Sequence, residues 1–239
     1  DRVDGNGTHE LDQYWHLSPE AFERIDVDSV KQQVITPHLI LSYPGQDRQA
    51  RIEQGYLSYS YREKTKAPVI VTGNNRKLPA VMATQLFPFQ EKNPGIDSKI
   101  MLPMTGVVNQ PVFIRNKSLQ YTDVFIERRS NHSVFSCEEF QTDALAAFIR
   151  LDQKEKVTML YLIEGTYFKT KNSHFMNIEG APADVSFANA QIHIESDYIS
   201  DFHIMAQTNS RVKLNGKEID VHYENEIISL KHAKTRGLK

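Results

Sequence analysis

Two tyrosines, Tyr59 and Tyr61, have the side chains and the spacing to bind a carbohydrate. They fall in a segment, 55–62, that is predicted to be a strand, and because side chains alternate along a strand both rings would share one face. Flat rings on a sheet surface can stack on sugar rings, with neighbouring hydroxyl and amide groups as hydrogen-bond partners. Rings of this kind also fill the space between the two sheets of a sandwich. A sugar-binding face and a core position therefore both remain open for Tyr59 and Tyr61.

The histidines do not form a recognisable metal-binding pattern, because the chain contains no HExxH motif and no HxH pair. His9 and His16 are seven residues apart, so on one regular strand their side chains would point to opposite faces. His193 and His203 each have an acidic neighbour, but they could share an ion only if their strands paired in a suitable register. We therefore assign no metal ligand in this chain.

No residue is assigned a catalytic role. Cys137 is the sole cysteine, which excludes an internal disulfide and a cysteine metal cluster, and we expect it to be structural. The adjacent acids Glu138 and Glu139 would point to opposite faces of a strand, so they do not form the carboxylate pair of a glycosidase. Neither a G-x-S-x-G serine-nucleophile motif nor a phosphate-binding loop is present.

The elements that must position these side chains are short strands. Segments of Val, Ile, Tyr and Phe with a period of two alternate with Gly, Pro, Asn and Asp, which is typical of a sandwich or barrel. Asn215 and Gly216 tolerate the positive φ angles of a tight hairpin turn, and Pro19–Arg24 could form one helical turn. The sequence predicts an all-β, antiparallel, supersandwich-like β-sandwich with few short helical turns. The longer predicted strands are 11–17, 34–43, 55–62, 80–89, 145–151, 157–164 and 185–195.

The length of 239 residues suits one large β domain or two small ones, and we expect a single β-sandwich region over 1–239. Residues 92–109 break the strand rhythm with Pro and Gly, which predicts a long loop or a seam between sub-sheets. The chain opens with Asp1 instead of Met, which predicts either a processed protein or a piece cut from a longer chain. Residues 1–9 resemble the middle of a structured segment, which favours the cut piece.

Composition excludes several classes of partner. Charged residues make up 24% and hydrophobic residues 40%, which indicates a globular chain. The net charge of −2 gives no overall basic field for nucleic acid. No stretch approaches the ~20 apolar residues that a membrane helix needs.

Several segments, in their order and spacing, resemble the C-terminal β-sandwich region of heparinase II/III-type polysaccharide lyases. The resemblance extends to about Gly165, and each motif alone is a common strand-plus-turn pattern. The segments are Asp1-Arg2-Val3 followed by His9-Glu10 and Tyr14-Trp15-His16-Leu17, 55–61 followed by Lys66-Ala67-Pro68, 85–89, and 140–147 through 160–166.

The resemblance implies a lyase that cleaves uronic-acid-containing polysaccharide, such as a glycosaminoglycan or alginate, by β-elimination. In this family an N-terminal α/α-toroid domain supplies most of the catalytic Tyr, His and Asn, and a metal site precedes the segment that begins at Asp1. No position of this chain matches those residues, so we assign none and expect the chain alone to be inactive and to carry no cofactor. The implied partners are an acidic polysaccharide and the toroid, and the implied location is periplasmic or extracellular. A stand-alone carbohydrate-binding module and a purely structural domain remain as alternatives.

Overall fold

A computed structural model describes residues 1–45, 47–90, 93, 95–101, 111–129, 133–171, 173–205, 210–224 and 227–231. Strands make up 63% of the described residues, which confirms the predicted all-β class of antiparallel sheets packed as a sandwich. In the part of the chain just defined, the only helical segment is a 3-10 helix at Pro19–Arg24, as the sequence predicts. None of these residues forms a helix long and apolar enough to cross a membrane.

The chain divides into two compact units, Asp1–Gln110 (unit 1) and Pro111–Lys239 (unit 2). The predicted loop or seam 92–109 contains one strand, at 97–101, while residues 92, 94 and 102–109 lie outside the described residues. The expectation of a single sandwich region stays a prediction.

The strands of unit 1 are mostly short, with two longer ones that form its central sheet. In chain order they are β1 (Arg2–Val3), β2 (Thr8–His16), β3 (Asp26–Asp28), β4 (Gln33–Ile35), β5 (Leu39–Ser42), β6 (Gln49–Leu57), β7 (Thr65–Lys77), β8 (Ala80–Val81), β9 (Gln85–Pro88) and β10 (Asp97–Met101).

Unit 1 is built around β7, which pairs antiparallel with β2 on one side and with β6 on the other. Ile70 of β7 is fully buried and packs with Val34 and Leu41 of a second sheet, β3–β4–β5–β9, and with Tyr43. Trp15 of β2 packs against the same cluster, as expected of a core aromatic ring. Burying one such aliphatic side chain contributes about 1.5–3 kcal/mol, so this cluster holds the two sheets together.

Unit 2 contains the remaining strands, which come in short consecutive groups. They are β11 (Val112–Lys117), β12 (Tyr121–Glu127), β13 (Phe135–Ser136), β14 (Phe140–Thr142), β15 (Ala146–Asp152), β16 (Val157–Gly165), β17 (Tyr167–Thr170), β18 (Ser173–Gly180), β19 (Ala183–Ala188), β20 (Gln191–Glu195), β21 (Ile199–Met205), β22 (Arg211–Leu214), β23 (Lys217–Ile219), β24 (His222–Glu224) and β25 (Ile227–Lys231).

The strands of unit 2 form two sheets with one core between them. The larger sheet runs β11–β12–β15–β16–β19–β20–β22–β23 and the smaller one β13–β14–β17–β18–β21–β25–β24, so the chain changes sheet after every one or two strands. Within these sheets β20 and β22 pair parallel, whereas the other described pairs are antiparallel. Every second residue of a strand enters the core, because side chains alternate. The core includes Ile126, Ile149 and Leu160 from the larger sheet and Phe168, Met176 and Phe202 from the smaller one.

Two segments near the chain start that were predicted as single strands are divided. The predicted strand 34–43 consists of β4 and β5, joined by a turn at 36–38. The Thr36 hydroxyl accepts the Leu39 N–H at 3.1 Å, and the Thr36 N–H donates to the Leu39 carbonyl at 2.9 Å, so the chain reverses there. The predicted strand 80–89 likewise consists of β8 and β9.

Of two hairpin turns in unit 2, the sequence predicts one and misses the other. Asn215 and Gly216 have φ angles of 48° and 77° and join β22 to β23, which confirms the predicted hairpin. The predicted strand 185–195 is wrong, because it is a hairpin of β19 and β20. Its turn residues Asn189 and Ala190 have φ angles of 51° and 58°, and alanine gives no signal for a positive φ.

Candidate functional site

The predicted strand position of Tyr59 and Tyr61 is wrong. β6 ends at Leu57 and β7 begins at Thr65, so both tyrosines lie in the connection 58–64. The exposed fraction is 71% for Tyr59 and 87% for Tyr61. Both rings are therefore outside the core and open to a ligand from solvent.

The connection 58–64 turns because its side chains supply local hydrogen bonds that compete with a continued strand. The Ser58 hydroxyl donates to the carbonyl oxygen of Ser60 at 2.8 Å, and the Glu63 N–H donates to the same oxygen at 3.3 Å. The Ser60 hydroxyl in turn donates to the Glu63 carboxylate. Arg62 has a φ of 69°, in the left-handed region that reverses a chain. These bonds, and not strand alternation, set the direction of the two rings.

Basic side chains surround the rings at this end of the sheet. The guanidinium carbon of Arg62 lies 5.2 Å from the ring centroid of Tyr61, within cation–π distance. Lys66 lies directly across from Tyr56, a third tyrosine, which is 53% exposed. We name this surface the tyrosine tip, and it consists of Tyr56, Tyr59, Tyr61, Arg62, Glu63, Lys64 and Lys66. It carries three cations and one carboxylate, so it favours an anionic ligand.

A second charged patch lies on one face of the β2–β7–β6 sheet, and its charged side chains form ion pairs with one another. The Arg51 guanidinium donates to the Asp12 carboxylate at 2.7 Å and to the Glu53 carboxylate at 2.8 Å. The hydrogen bond with Asp12 and then that with Glu53 raise the pKa of Arg51. Gly73 lies opposite Asp12 and leaves it room, since a Cβ there would be 1.8 Å from an Asp12 carboxylate oxygen. Exposed ion pairs of this kind contribute little, and we assign the patch no ligand.

Arg48 is 3% exposed, and among the described residues no carboxylate forms an ion pair with it. Its Nη1 donates to the Ala83 carbonyl at 2.8 Å, and its Nη2 donates to the Gln13 side-chain oxygen at 2.6 Å and to the Thr72 hydroxyl at 2.7 Å. Burial, and then the neighbouring charge of Arg76, lower the pKa of Arg48 to about 10. Uncharged acceptors from three segments hold this guanidinium, so we assign Arg48 a structural role.

The histidine pairs considered in the sequence do not converge. β2 pairs with β7 without a register shift, so His9 and His16 point to opposite faces, as predicted. His193 lies in the larger sheet of unit 2 and His203 in the smaller one, so their strands do not pair. Within the residues that the structure describes, no group of three His, Cys, Asp or Glu side chains could hold a metal ion.

The environment of Cys137 disfavours a nucleophile. Burial raises the pKa of the Cys137 thiol to about 11, so the reactive thiolate is scarce at neutral pH. Of the adjacent acids, Glu139 is 8% exposed and lies 2.6 Å from Arg115, whereas Glu138 is 71% exposed. The Arg115 N–H does not point at the Glu139 oxygen, so this contact is an ion pair without an aligned hydrogen bond. The predicted strand position of the two acids is wrong, because both lie in the turn between β13 and β14.

A cleft of about 600 Å³ opens at one end of unit 2, where residues of both sheets line it. Its apolar side chains are Leu119, Leu151, Val157, Phe187 and Met205. Its charged ones are Arg115, Lys117, Lys154, Lys156, Lys171, Glu138, Glu139, Asp152 and Glu155. Sequence reasoning missed this site, because its residues come from separate segments that only strand pairing brings together. The one available signal is the polar segment 152–156 between two apolar runs, which favours a hairpin turn that carries two lysines.

Comparison of the chain with protein-family models and with curated proteins found no match. The coordinates define an all-β protein of sandwich type, with a basic, tyrosine-rich tip in unit 1 and a charged cleft in unit 2. The resemblance to heparinase II/III-type lyases stays a prediction from the sequence.

Proposed function

We propose that this chain is the β-sandwich part of a polysaccharide lyase and that its tyrosine tip contacts an acidic glycan. The observation that carries the proposal is the exposure of Tyr59 and Tyr61, 71% and 87%, beside three cations and a single carboxylate. Large aromatic rings held in solvent by an ordered turn are typical of contact surfaces. The ordered motifs along the chain support the assignment to a lyase.

The chemistry of the tip suits a uronic-acid polymer. A tyrosine ring can stack on the apolar face of a sugar ring, and its hydroxyl can bond to the sugar hydroxyls. Arg62, Lys64 and Lys66 can pair with the carboxylates or sulfates along the polymer. In β-elimination a base removes the proton at C5 and an acid protonates the leaving oxygen. Those groups would belong to the toroid, and this chain would hold the polymer in register with them.

A stand-alone carbohydrate-binding module is the second candidate, and the same exposed rings favour it. It differs from the lyase proposal in one respect, which is that the glycan would be bound and released unchanged. A purely structural domain would bind no glycan.

Glycan binding is tested by titrating the 239-residue chain with heparan sulfate, hyaluronan and alginate, and with neutral dextran as a control. We expect the acidic polymers to bind and added salt to weaken the binding, because exposed charges are screened. Tyr59→Ala and Tyr61→Ala should each weaken binding about 2- to 10-fold, equal to about 0.5–1.5 kcal/mol per ring. Tyr198→Ala removes a ring that is 54% exposed in unit 2 and should change nothing.

Equal binding of dextran, or unchanged affinity in both tip variants, would contradict the role of the tip. The lyase assignment is tested separately, by expressing the chain together with the coding sequence that precedes Asp1. We expect that longer protein to release unsaturated uronates, which absorb in the near ultraviolet, and the chain alone to release none. Release by the chain alone, or a reading frame that starts at Asp1, would rule out the assignment.

A further inference from the structure

The cleft of unit 2 is formed where the core between the two sheets ends. The β11–β12 and β15–β16 hairpins of the larger sheet form one wall, and the β13–β14 turn with the end of β17 in the smaller sheet forms the other. Its volume of about 600 Å³ lies within the range of small-molecule sites in proteins.

The floor of the cleft is apolar and rigid. Leu151, Val157 and Phe187 are between 6% and 8% exposed and belong to the core cluster, and Met205 packs against that cluster. These side chains have their positions fixed by the core, so the floor is formed before any ligand arrives. It can contact an apolar body but offers no hydrogen bond to a sugar hydroxyl.

The acidic side chains at the rim are mostly engaged already. The Asp152 carboxylate accepts the backbone N–H groups of Lys154 and Lys156, at 2.8 Å and 2.9 Å. Glu139 lies 2.6 Å from Arg115. The charges of these two acids are therefore taken up by turn geometry or by an ion pair. Of the other two acids that line the cleft, Glu138 lies 3.9 Å from Lys171, and Glu155 is exposed.

Three lysines at the rim have no such partner. Lys117, Lys154 and Lys156 are exposed, and none of them forms an ion pair within the described residues. Lys117 is on β11, while Lys154 and Lys156 are on the β15–β16 turn, so the ammonium groups approach the cleft from two hairpins of one wall. Like charges held around an apolar floor attract an anion, because an ammonium group binds carboxylate or sulfate oxygen.

We infer that the cleft binds an organic anion with an apolar body, namely a carboxylate or sulfate carried on an alkyl chain or an aromatic ring. The anionic group pairs with the lysines of the rim, and the apolar body lies on the floor. This site uses none of the residues of the tyrosine tip, so it is a second binding function beside the proposed contact with an acidic glycan.

The test is calorimetric titration of the full chain with octanoate, with octan-1-ol and octylamine as uncharged and cationic controls of equal length. Octanoate should bind at least about tenfold more tightly than either control, because only the carboxylate pairs with the lysines. Extending the chain from hexanoate to octanoate should tighten binding by about fourfold per methylene, since each buried methylene adds apolar contact.

The triple variant Lys117→Gln, Lys154→Gln, Lys156→Gln removes the three charges but keeps polar side chains, and it should weaken octanoate binding by about tenfold or more. Lys217→Gln, an exposed lysine of unit 2 that does not line the cleft, should leave it unchanged. Far-ultraviolet circular dichroism verifies that each variant is folded. Equal affinity for octanoate and octan-1-ol, undetectable octanoate binding, or a triple variant that binds like the parent chain would each overturn the inference. Glycan binding by the tip is measured on the same variants, so failure of one site is distinguishable from failure of the other.

Discussion

Replacing Arg48 with methionine should destabilise unit 1 by about 3 kcal/mol, a magnitude that follows from the contacts of the guanidinium. Methionine fills a similar length but donates no hydrogen bond. The variant removes the guanidinium donor from the Gln13 oxygen, the Thr72 hydroxyl and the Ala83 carbonyl. The Gln13 oxygen keeps a second donor, the Thr84 hydroxyl at 2.5 Å. The three bonds range from 2.6 to 2.8 Å, as expected of charged donors.

The magnitude is a balance of two effects. A hydrogen bond from a charged donor contributes about 1.5 kcal/mol at the lower end, so three contribute roughly 4–5 kcal/mol. The Arg48 charge is buried without a carboxylate partner and is repelled by Arg76. Removing this charge therefore stabilises the folded state by on the order of 1–2 kcal/mol. The difference is a loss of about 3 kcal/mol in the free energy of unfolding.

The assay is urea unfolding followed by tryptophan fluorescence. Trp15 is the only tryptophan and packs against the core of unit 1, so its signal reports the unfolding of that unit. The midpoint should fall while the dependence on urea stays constant, because the same surface is exposed. Arg51→Met is the matched control, since Arg51 pairs with acids at the surface, and it should cost less than about 1 kcal/mol. A loss for Arg48→Met that is no larger than for this control would refute the reasoning.

Three further predictions concern unit 2. At pH 8 Cys137 should react with a disulfide reagent about a hundredfold more slowly than in the urea-unfolded chain, because its pKa is about 11 instead of the ordinary 9.0. The thiol ionises at a lower pH in the unfolded chain than in the folded one, so the free energy of unfolding should fall as the pH rises from 9 to 11. Equal labelling rates in the folded and unfolded chains would contradict both expectations. Gly216→Ala should lower stability by about 1 kcal/mol in thermal unfolding, because the φ of 77° is strained for alanine although nothing crowds its Cβ. An unchanged melting temperature would show that the turn relaxes.

The sequence predicts the class of this fold because alternation is a local property. The apolar residues at every second position of a strand indicate its buried face. Asn215 and Gly216 indicate a turn, because both residue types tolerate a positive φ. The sequence does not predict the turn at Asn189 and Ala190, because alanine takes a positive φ there only under the constraint of the paired strands. The sequence does not predict the connection 58–64 either, because local hydrogen bonds made by its own side chains end the strand there.

The cleft could not be predicted because it depends on register between distant strands. Lys117 and Lys154 are brought to one end of unit 2 by the pairing of β12 with β15, in which Tyr121 lies opposite Asp152. No local pattern encodes that pairing. The sequence also could not show that Tyr61 is exposed, because a tyrosine ring can occupy either a core or a surface position.

The passage of the chain from one sheet of unit 2 to the other and back determines how this unit can be made. No sheet of unit 2 is a continuous stretch of sequence, and the parallel pairing of β20 with β22 spans β21, which belongs to the opposite sheet. The larger sheet receives its last strand, β23, before β24 and β25 are added to the smaller sheet. Such non-local assembly is slow, so a nascent chain released before β25 would leave the smaller sheet unfinished, with one edge of β21 unpaired.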